Sequence, residues 1–299
     1  MLSKMRSYLL VGIVCLALLG VAAWLTLTPA PAFAQDPVVT EESAAVSASP
    51  AVTTTIPSMS GNLDVAAAAS LTECFTEMAT QLEGANPDLK ITFNFAGSQQ
   101  LAQQINQGAP ADVFASANKK QMGVAIESGR IVSGTEQIFT SNRLVVVYPA
   151  DNPAKIATLQ DLTKSGLRLV LAAAEVPVGE YTVEFLDKAV KDPEFGASYK
   201  DDVLKNVVSY EQNVKAVLTK VVLGEADAGI VYSTDAATDK DGKSLVLDIP
   251  DALNSVATYP IAVLSDSPQP ELAQTFVDYV LSPAGQDSLA AFGFIPVIK

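Results

Sequence analysis

The sequence predicts an α/β protein in which strands and helices alternate along the chain. Short apolar runs are typical of strands, amphipathic runs with helical spacing follow most of them, and glycine or proline marks many ends. The run at 62–68 (NLDVAAA) predicts a strand. Leu71, Phe75 and Met78 then recur on one helical face. Such alternation predicts a mostly parallel sheet with helices on both of its faces.

The remaining elements follow the same alternation. Further strands are predicted at 90–95 (KITFNF), 111–116 (ADVFAS), 143–148 (RLVVVY), 167–172, 207–209, 228–232 (AGIVY) and 259–264 (YPIAVL). Further helices are predicted at 99–107, 119–128, 181–190, 214–223, 271–281 and 284–292. In folds of this kind ligands bind beyond the carboxyl ends of the strands, where helices begin. The segments between each strand and its helix are therefore the candidate binding residues.

The N-terminal segment is predicted to direct export. A basic start, an apolar stretch at 8–27 and an Ala-Phe-Ala site ending at Ala34 are typical of a secretory signal, predicted here at 1–34. The apolar stretch is also long enough to span a bilayer, so an uncleaved N-terminal anchor is the alternative. Residues 35–60 are rich in Ser, Thr, Ala and Pro and predict a flexible tether. We therefore expect the body of the protein in the periplasm or on the extracellular face of the membrane.

Composition excludes several classes of function. The chain contains no histidine, which excludes Ser-His-Asp and Cys-His catalysis and argues against a zinc site. The exported part keeps one cysteine, Cys74, and so has no intramolecular disulfide. A net charge of −14 makes nucleic acid a poor partner. An S-x-x-K pattern at 116–119 resembles that of penicillin-recognising enzymes, but no K-T-G follows, which argues against such an enzyme. We predict no enzyme, and we also expect no cofactor.

Four strand-to-helix turns carry small or polar residues. They are 69–71 (ASL), 96–98 (AGS), 177–179 (PVG) and 212–214 (QNV). Each opens a helix whose first N–H groups have no partner inside the helix and carry the positive end of its dipole. Such a terminus can bind an anion without a charged side chain. From the pattern alone, a simple helix cap is the favoured interpretation of Ser70 and of Ser98, and a ligand donor is the alternative.

Nine motifs run in a fixed order over residues 61–299. They are VAAAASL (65–71), FAGSQQLAQQI (95–105), GAPADVFASA (108–117), NRLVVVYP (142–149), VPVGEY (176–181), NVKAVL (213–218), GIVYSTDA (229–236), YPIAVL (259–264) and FGF (292–294). This set resembles the periplasmic molybdate-binding proteins of molybdate ABC transporters. The resemblance implies a type II periplasmic-binding fold with the ligand in the cleft between two lobes. Lobe I would comprise 61–142 plus 258–299, and lobe II 143–257.

The resemblance also implies the ligand and the residues that hold it. The implied donors are the hydroxyls of Ser70 and Ser98, the backbone N–H groups of Val178 and Val214, and the phenol of Tyr232. Gly97 stands where the family usually has a serine, and Lys215 is expected to be peripheral. The implied function is capture of molybdate and tungstate by a monomer, for delivery to the permease and ATPase of an ABC transporter. Another tetrahedral oxyanion, such as sulfate or phosphate, and a secreted interaction module are the alternatives.

Overall fold

The computed structural model describes residues 56–297. Its strands are β1 Gly61–Ala68, β2 Leu89–Ala96, β3 Val113–Ala115, β4 Gln137–Asn142, β5 Leu144–Pro149, β6 Leu169–Ala172, β7 Val207–Glu211, β8 Ala228–Tyr232, β9 Ser244–Asp248, β10 Ala257–Val263 and β11 Ile295–Pro296. Its α-helices are α1 Thr72–Ala85, α2 Ser98–Asn106, α3 Lys119–Glu127, α4 Pro177–Ala189, α5 Tyr199–Lys205, α6 Val214–Val222, α7 Ser233–Ala236, α8 Pro270–Leu281 and α9 Pro283–Ala291, and 3-10 turns lie at Ala69–Leu71 and Leu159–Thr163.

The N-terminal predictions fall largely outside this region. The secretory signal or anchor at 1–34, and the tether at 35–60 except for its last five residues, lie outside the described residues. No helix within 56–297 has the length and apolar character needed to cross a membrane.

Two sheets organise the described chain. The first has the strand order β11-β4-β10-β3-β1-β2, and the second has the order β7-β6-β8-β5-β9. The chain passes from the first sheet to the second between β4 and β5, through the single residue Arg143, and returns between β9 and β10. Helices flank both sheets. The predicted α/β fold with two lobes is confirmed.

The direction of the strands differs from the prediction of mostly parallel sheets. β1 is parallel to β2 and β3, and β6 is parallel to β7 and β8. In contrast, β10 is antiparallel to β3 and β4, β11 is antiparallel to β4, and β5 is antiparallel to β8 and β9. Parallel neighbours need a crossover connection, which α1 and α2 provide in the first sheet. Because β5 and β10 enter directly from the other lobe, they are free to run the opposite way, and both sheets are mixed.

One helix begins earlier than predicted. The sequence placed its start at residue 181, whereas α4 begins at Pro177, the first helical position. Proline is favoured there because the first turn needs no N–H donor and its fixed φ suits the helix. The pattern also missed β4, α5, α7, β9 and β11, which are short or carry polar residues at positions that the fold buries, such as Thr140 and Asn142.

Aromatic packing fixes the helix that follows β1. Phe75, on α1, is fully buried, and its ring centroid lies 6.0 Å from that of Phe93, 5.9 Å from that of Phe139 and 5.8 Å from that of Phe276. Aromatic pairs at this separation add stability beyond the area that they bury. The cluster joins β2, β4 and α8 to α1, and so holds in place the helix that follows the 3-10 turn carrying Ser70.

The first turn of α4 packs against backbone at a glycine. A Cβ on Gly179 would lie 2.0 Å from Ala173 O and 2.7 Å from Ala172 O. We expect Gly179→Ala to lower the free energy of unfolding by about 1–3 kcal/mol, because the backbone must move to admit the methyl group. Urea denaturation measures this change.

The matched control is Gly123→Ala in α3, where an added Cβ meets no atom within 4 Å. There the loss of backbone freedom in the unfolded chain should raise the free energy of unfolding by about 0.5–1 kcal/mol. Equal effects of the two substitutions would contradict the close packing of α4.

Candidate functional site

A small cavity lies where the two lobes meet. Its lining residues are Ala68, Ala69, Ser70, Ala96, Gly97, Ser98, Ala117, Val176, Pro177, Val178, Asn213, Val214 and Tyr232. The five residues predicted as donors are therefore all brought to one cavity. Their part in binding a ligand stays a prediction. Ser70, Ser98 and Val214 lie within three residues of the end of a strand, and Tyr232 is the last residue of β8. Val178 follows the loop that joins β6 to α4, so all five lie at carboxyl ends of strands, as expected for α/β folds.

Helix N-termini from both lobes open onto this cavity. Ser70 lies in the 3-10 turn before α1, Ser98 is the first residue of α2, Val178 the second of α4 and Val214 the first of α6. N–H groups in a first turn have no carbonyl partner within their own helix. Together they concentrate donors and the positive ends of several helix dipoles at one place, which favours an anion.

The two serine hydroxyls do not cap their own helices. Ser98 Oγ accepts a hydrogen bond from Ala117 N at 3.0 Å, and Ser70 Oγ lies 2.9 Å from Tyr259 Oη. The residue before the 3-10 turn at Ala69–Leu71 and the residue before α2 form no side-chain cap, and at α2 it is Gln100 Oε1 that accepts from Gly97 N at 3.2 Å. The interpretation as simple caps is therefore wrong for both serines. Both serines line the cavity, and each hydroxyl group is held by a residue distant in sequence.

Tyr232 brings a buried donor without a partner. Its hydroxyl has no hydrogen-bond partner among residues 56–297, although its side chain is 1% exposed. Burial, with a smaller contribution from the neighbouring Tyr259, raises the pKa of the phenol well above its usual value. The group is therefore a neutral donor. An unsatisfied buried hydroxyl costs about 1–3 kcal/mol, so a ligand atom that accepts from it would recover that cost.

No lining residue of the cavity, within the described part of the chain, carries a formal charge. The adjacent cation is Lys215, whose Nζ lies 2.7 and 2.8 Å from the carboxylate oxygens of Glu73 and 3.2 Å from Asp235 Oδ1. Lys215 is peripheral to the cavity, as expected, but it joins α1, α6 and α7. We name Glu73, Lys215 and Asp235 the charge triad.

Asp235 is a residue that sequence reasoning missed. It is fully buried, and neither carboxylate oxygen makes a hydrogen bond of good geometry to another described residue. Burial raises the pKa of Asp235 to about 6, although the Lys215 ammonium acts in the opposite direction. The available signal was its position three residues after Tyr232 in GIVYSTDA, in the first turn of a short helix.

Polar contacts join the two sides of the cavity. Gln99 Nε2 donates to Gln212 O at 2.8 Å, and Asn118 Nδ2 donates to Glu180 Oε2 at 2.9 Å. A Cβ on Gly97 would lie 2.4 Å from Gln212 O. The glycine that replaces the family's usual serine thus allows close approach of the chain around residue 97 to the segment before α6.

Comparisons with known proteins agree with this architecture. The family model for bacterial extracellular solute-binding proteins matches residues 63–295. The molybdate-binding protein ModA of Mycobacterium tuberculosis is 40% identical over 230 residues, covering 77% of this chain and 83% of that protein. ModA of Escherichia coli is 34% identical over 240 residues, covering 78% and 89%. The solved periplasmic molybdate-binding protein of Azotobacter vinelandii, 18% identical with a TM-score of 0.67 over 78% of this chain and 98% of that one, supports the fold.

The charge triad predicts a pH dependence of stability. The folded state holds a proton on Asp235 up to about pH 6, above the value of 3.8 for an ordinary aspartate. The folded state therefore binds more protons than the unfolded state between these values, and this contribution to stability is lost as pH rises through about 6. Asp235→Asn removes the titration. We expect the free energy of unfolding of the variant, minus that of the wild type, to grow by about 1–3 kcal/mol from pH 4 to pH 7.

Chemical denaturation at several pH values measures the difference. Asp241→Asn removes one exposed carboxylate and is the control, for which the difference should stay nearly constant. A difference for Asp235→Asn that does not change between pH 4 and pH 7 would contradict the prediction.

Proposed function

Because the chain belongs to the family of bacterial extracellular solute-binding proteins, we propose that it captures molybdate outside the cytoplasm and delivers it to the permease of an ABC transporter. Tungstate, an oxyanion of the same shape and charge, is included in the proposal. The ligand would be held by Ser70, Ser98, Val178, Val214 and Tyr232. The names of the relatives support the ligand, and the convergence of these five residues on one cavity supports the site.

The observation that carries the proposal is a small cavity whose proposed donor residues are buried and whose lining, among the described residues, holds no cation. A fully deprotonated oxyanion has only acceptors to offer, and hydrogen bonds to a charged acceptor are roughly twice as strong as neutral ones. A protonated oxyanion would bring its own hydrogen against groups that are all proposed to act as donors. The proposed site therefore selects by protonation state. A lysine on the wall would attract any anion and would select less.

We further propose that lobe I comprises 61–142 plus 258–299 and lobe II 143–257. The division of strands between the two sheets supports this. Ser70 and Ser98 would then belong to lobe I, and Val178, Val214 and Tyr232 to lobe II. An anion would complete its coordination when both lobes contact it, with the links around Arg143 and before β10 acting as hinges.

The proposal also covers the state and location of the protein. We propose a monomer that binds no cofactor, catalyses no reaction and works with the permease and ATPase subunits of the transporter. Residues 1–34 would be a secretory signal, with an uncleaved anchor as the alternative, and residues 35–60 a tether.

The first test is titration calorimetry with molybdate, tungstate, sulfate and phosphate. Ser70→Ala and Ser98→Ala should each weaken molybdate binding by about 1–3 kcal/mol, because each removes a buried donor to a charge. Ser133→Ala, at an exposed serine, is the matched control and should bind like the wild type. Tighter binding of sulfate or phosphate would favour another oxyanion, and heat from none of the four would favour a secreted interaction module.

Tyr232→Phe should change the affinity for molybdate without lowering the stability of the ligand-free protein. Because the hydroxyl has no partner within residues 56–297, its removal should leave the melting temperature of the ligand-free protein unchanged or higher. The affinity for molybdate should fall by about 1.5–3 kcal/mol, the contribution of a hydrogen bond to a charged group. Thermal unfolding with and without molybdate measures both quantities. Unaltered affinity would remove Tyr232 from the site.

A further inference from the structure

We propose that Tyr259 is a positioning residue of the anion site, which donates its phenolic hydrogen to Ser70 Oγ and thereby directs the Ser70 hydrogen into the cavity. Tyr259 does not line the cavity and acts through Ser70. The inference rests on the proposed function, since it assigns a direction to one of the hydrogen bonds on which that function depends.

The geometry holds both groups in place. Ser70 Oγ and Tyr259 Oη are 2.9 Å apart, and both side chains are buried. The ring of Tyr259 is edge-on to three aromatic rings, with centroids 5.9 Å from Tyr232, 6.2 Å from Phe139 and 5.7 Å from Phe294. Such packing leaves the ring one orientation. The hydroxyl of Tyr259 is therefore fixed against Ser70.

The direction of this hydrogen bond follows from the other groups near the phenol. Burial raises the pKa of Tyr259 well above its usual value, so the phenol keeps a hydrogen that must be donated. Asn142 Oδ1 already accepts from Arg143 N at 2.9 Å and from Ser233 Oγ at 3.1 Å, which uses both of its lone pairs. Tyr232 Oη, on the neighbouring ring, forms no hydrogen bond with any residue of 56–297. Ser70 Oγ, at 2.9 Å, is therefore the acceptor that remains within hydrogen-bond distance. The Ser70 hydroxyl then keeps its own hydrogen, which it can donate to a ligand in the cavity.

Ser98 shows the same arrangement in an unambiguous form. Its Oγ accepts from Ala117 N, which can only donate, so the Ser98 hydrogen must be directed elsewhere. With Tyr259 as donor to Ser70, both serines have a lone pair occupied by the protein and a hydrogen available at the cavity. If Ser70 instead donated to Tyr259, it would present lone pairs to an anion and repel it.

A double-mutant cycle tests the role of Tyr259. Tyr259→Phe keeps the ring and removes the donor, and we expect molybdate affinity to fall about tenfold, because Ser70 loses the bond that orients it. In a Ser70→Ala background the same substitution should change affinity less than about twofold, because the group on which it acts is gone. Titration calorimetry on the four proteins measures the coupling, and circular dichroism confirms that each is folded.

Tyr199→Phe is the matched control. Tyr199 is a buried tyrosine whose hydroxyl donates to Leu159 O at 2.7 Å, remote from the cavity, and its substitution should leave affinity unchanged. An equal loss from Tyr259→Phe in both backgrounds, or no loss in the wild-type background, would overturn the positioning role alone. Absence of binding by the wild-type protein would overturn the proposed function and this inference together.

Discussion

Buried hydrogen-bond donors without partners are the constraint on which the rest of the site depends. Backbone amides at four helix starts and the phenol of Tyr232 gather at one cavity, and burying a donor unsatisfied is costly. In the proposed function, one small ligand bound between these segments would recover that cost. Small residues make a close approach of these segments feasible. Alanines line the wall beside both serines, and Gly97 faces Gln212 O where no Cβ would fit.

The cavity has no charged side chain among its described lining residues, and the charged groups lie outside it. The chain carries a net charge of −14, and Lys215, the cation beside the cavity, is held by two carboxylates of the charge triad. Salt screens the distant surface charges over about 8–10 Å, so they hardly affect a buried anion. Short-range donors and helix dipoles are then the attraction that acts at the site. The negative net charge of the protein is therefore compatible with the proposed binding of a dianion.

Local patterns predicted most of the strands and helices and the turns that line the cavity, but not the contacts between residues distant in sequence. The strand at 228–232 was predicted at its observed bounds because an apolar run is a property of adjacent residues. The start of α4 was missed because Val178 and Gly179 look like a turn unless Pro177 is recognised as the first helical position. Tyr259 lies 189 residues from Ser70, and no pattern in one sequence indicates that pairing. The five proposed donors came from the turn positions together with the family resemblance.

The single-residue link between β4 and β5 has a consequence for how an anion would be held. With one residue between β4 and β5, the two strands that this link joins have little slack to move apart, and in the proposed closure the two lobes turn about it. In the proposed binding mode, the donors of one lobe and the donors of the other act together on one anion, as two linked ligand groups do in a chelating agent. Once one lobe has engaged a ligand, the other meets it at a high effective concentration, so weak individual contacts combine into tight capture. Lengthening this link would dilute that advantage while every donor stayed in place.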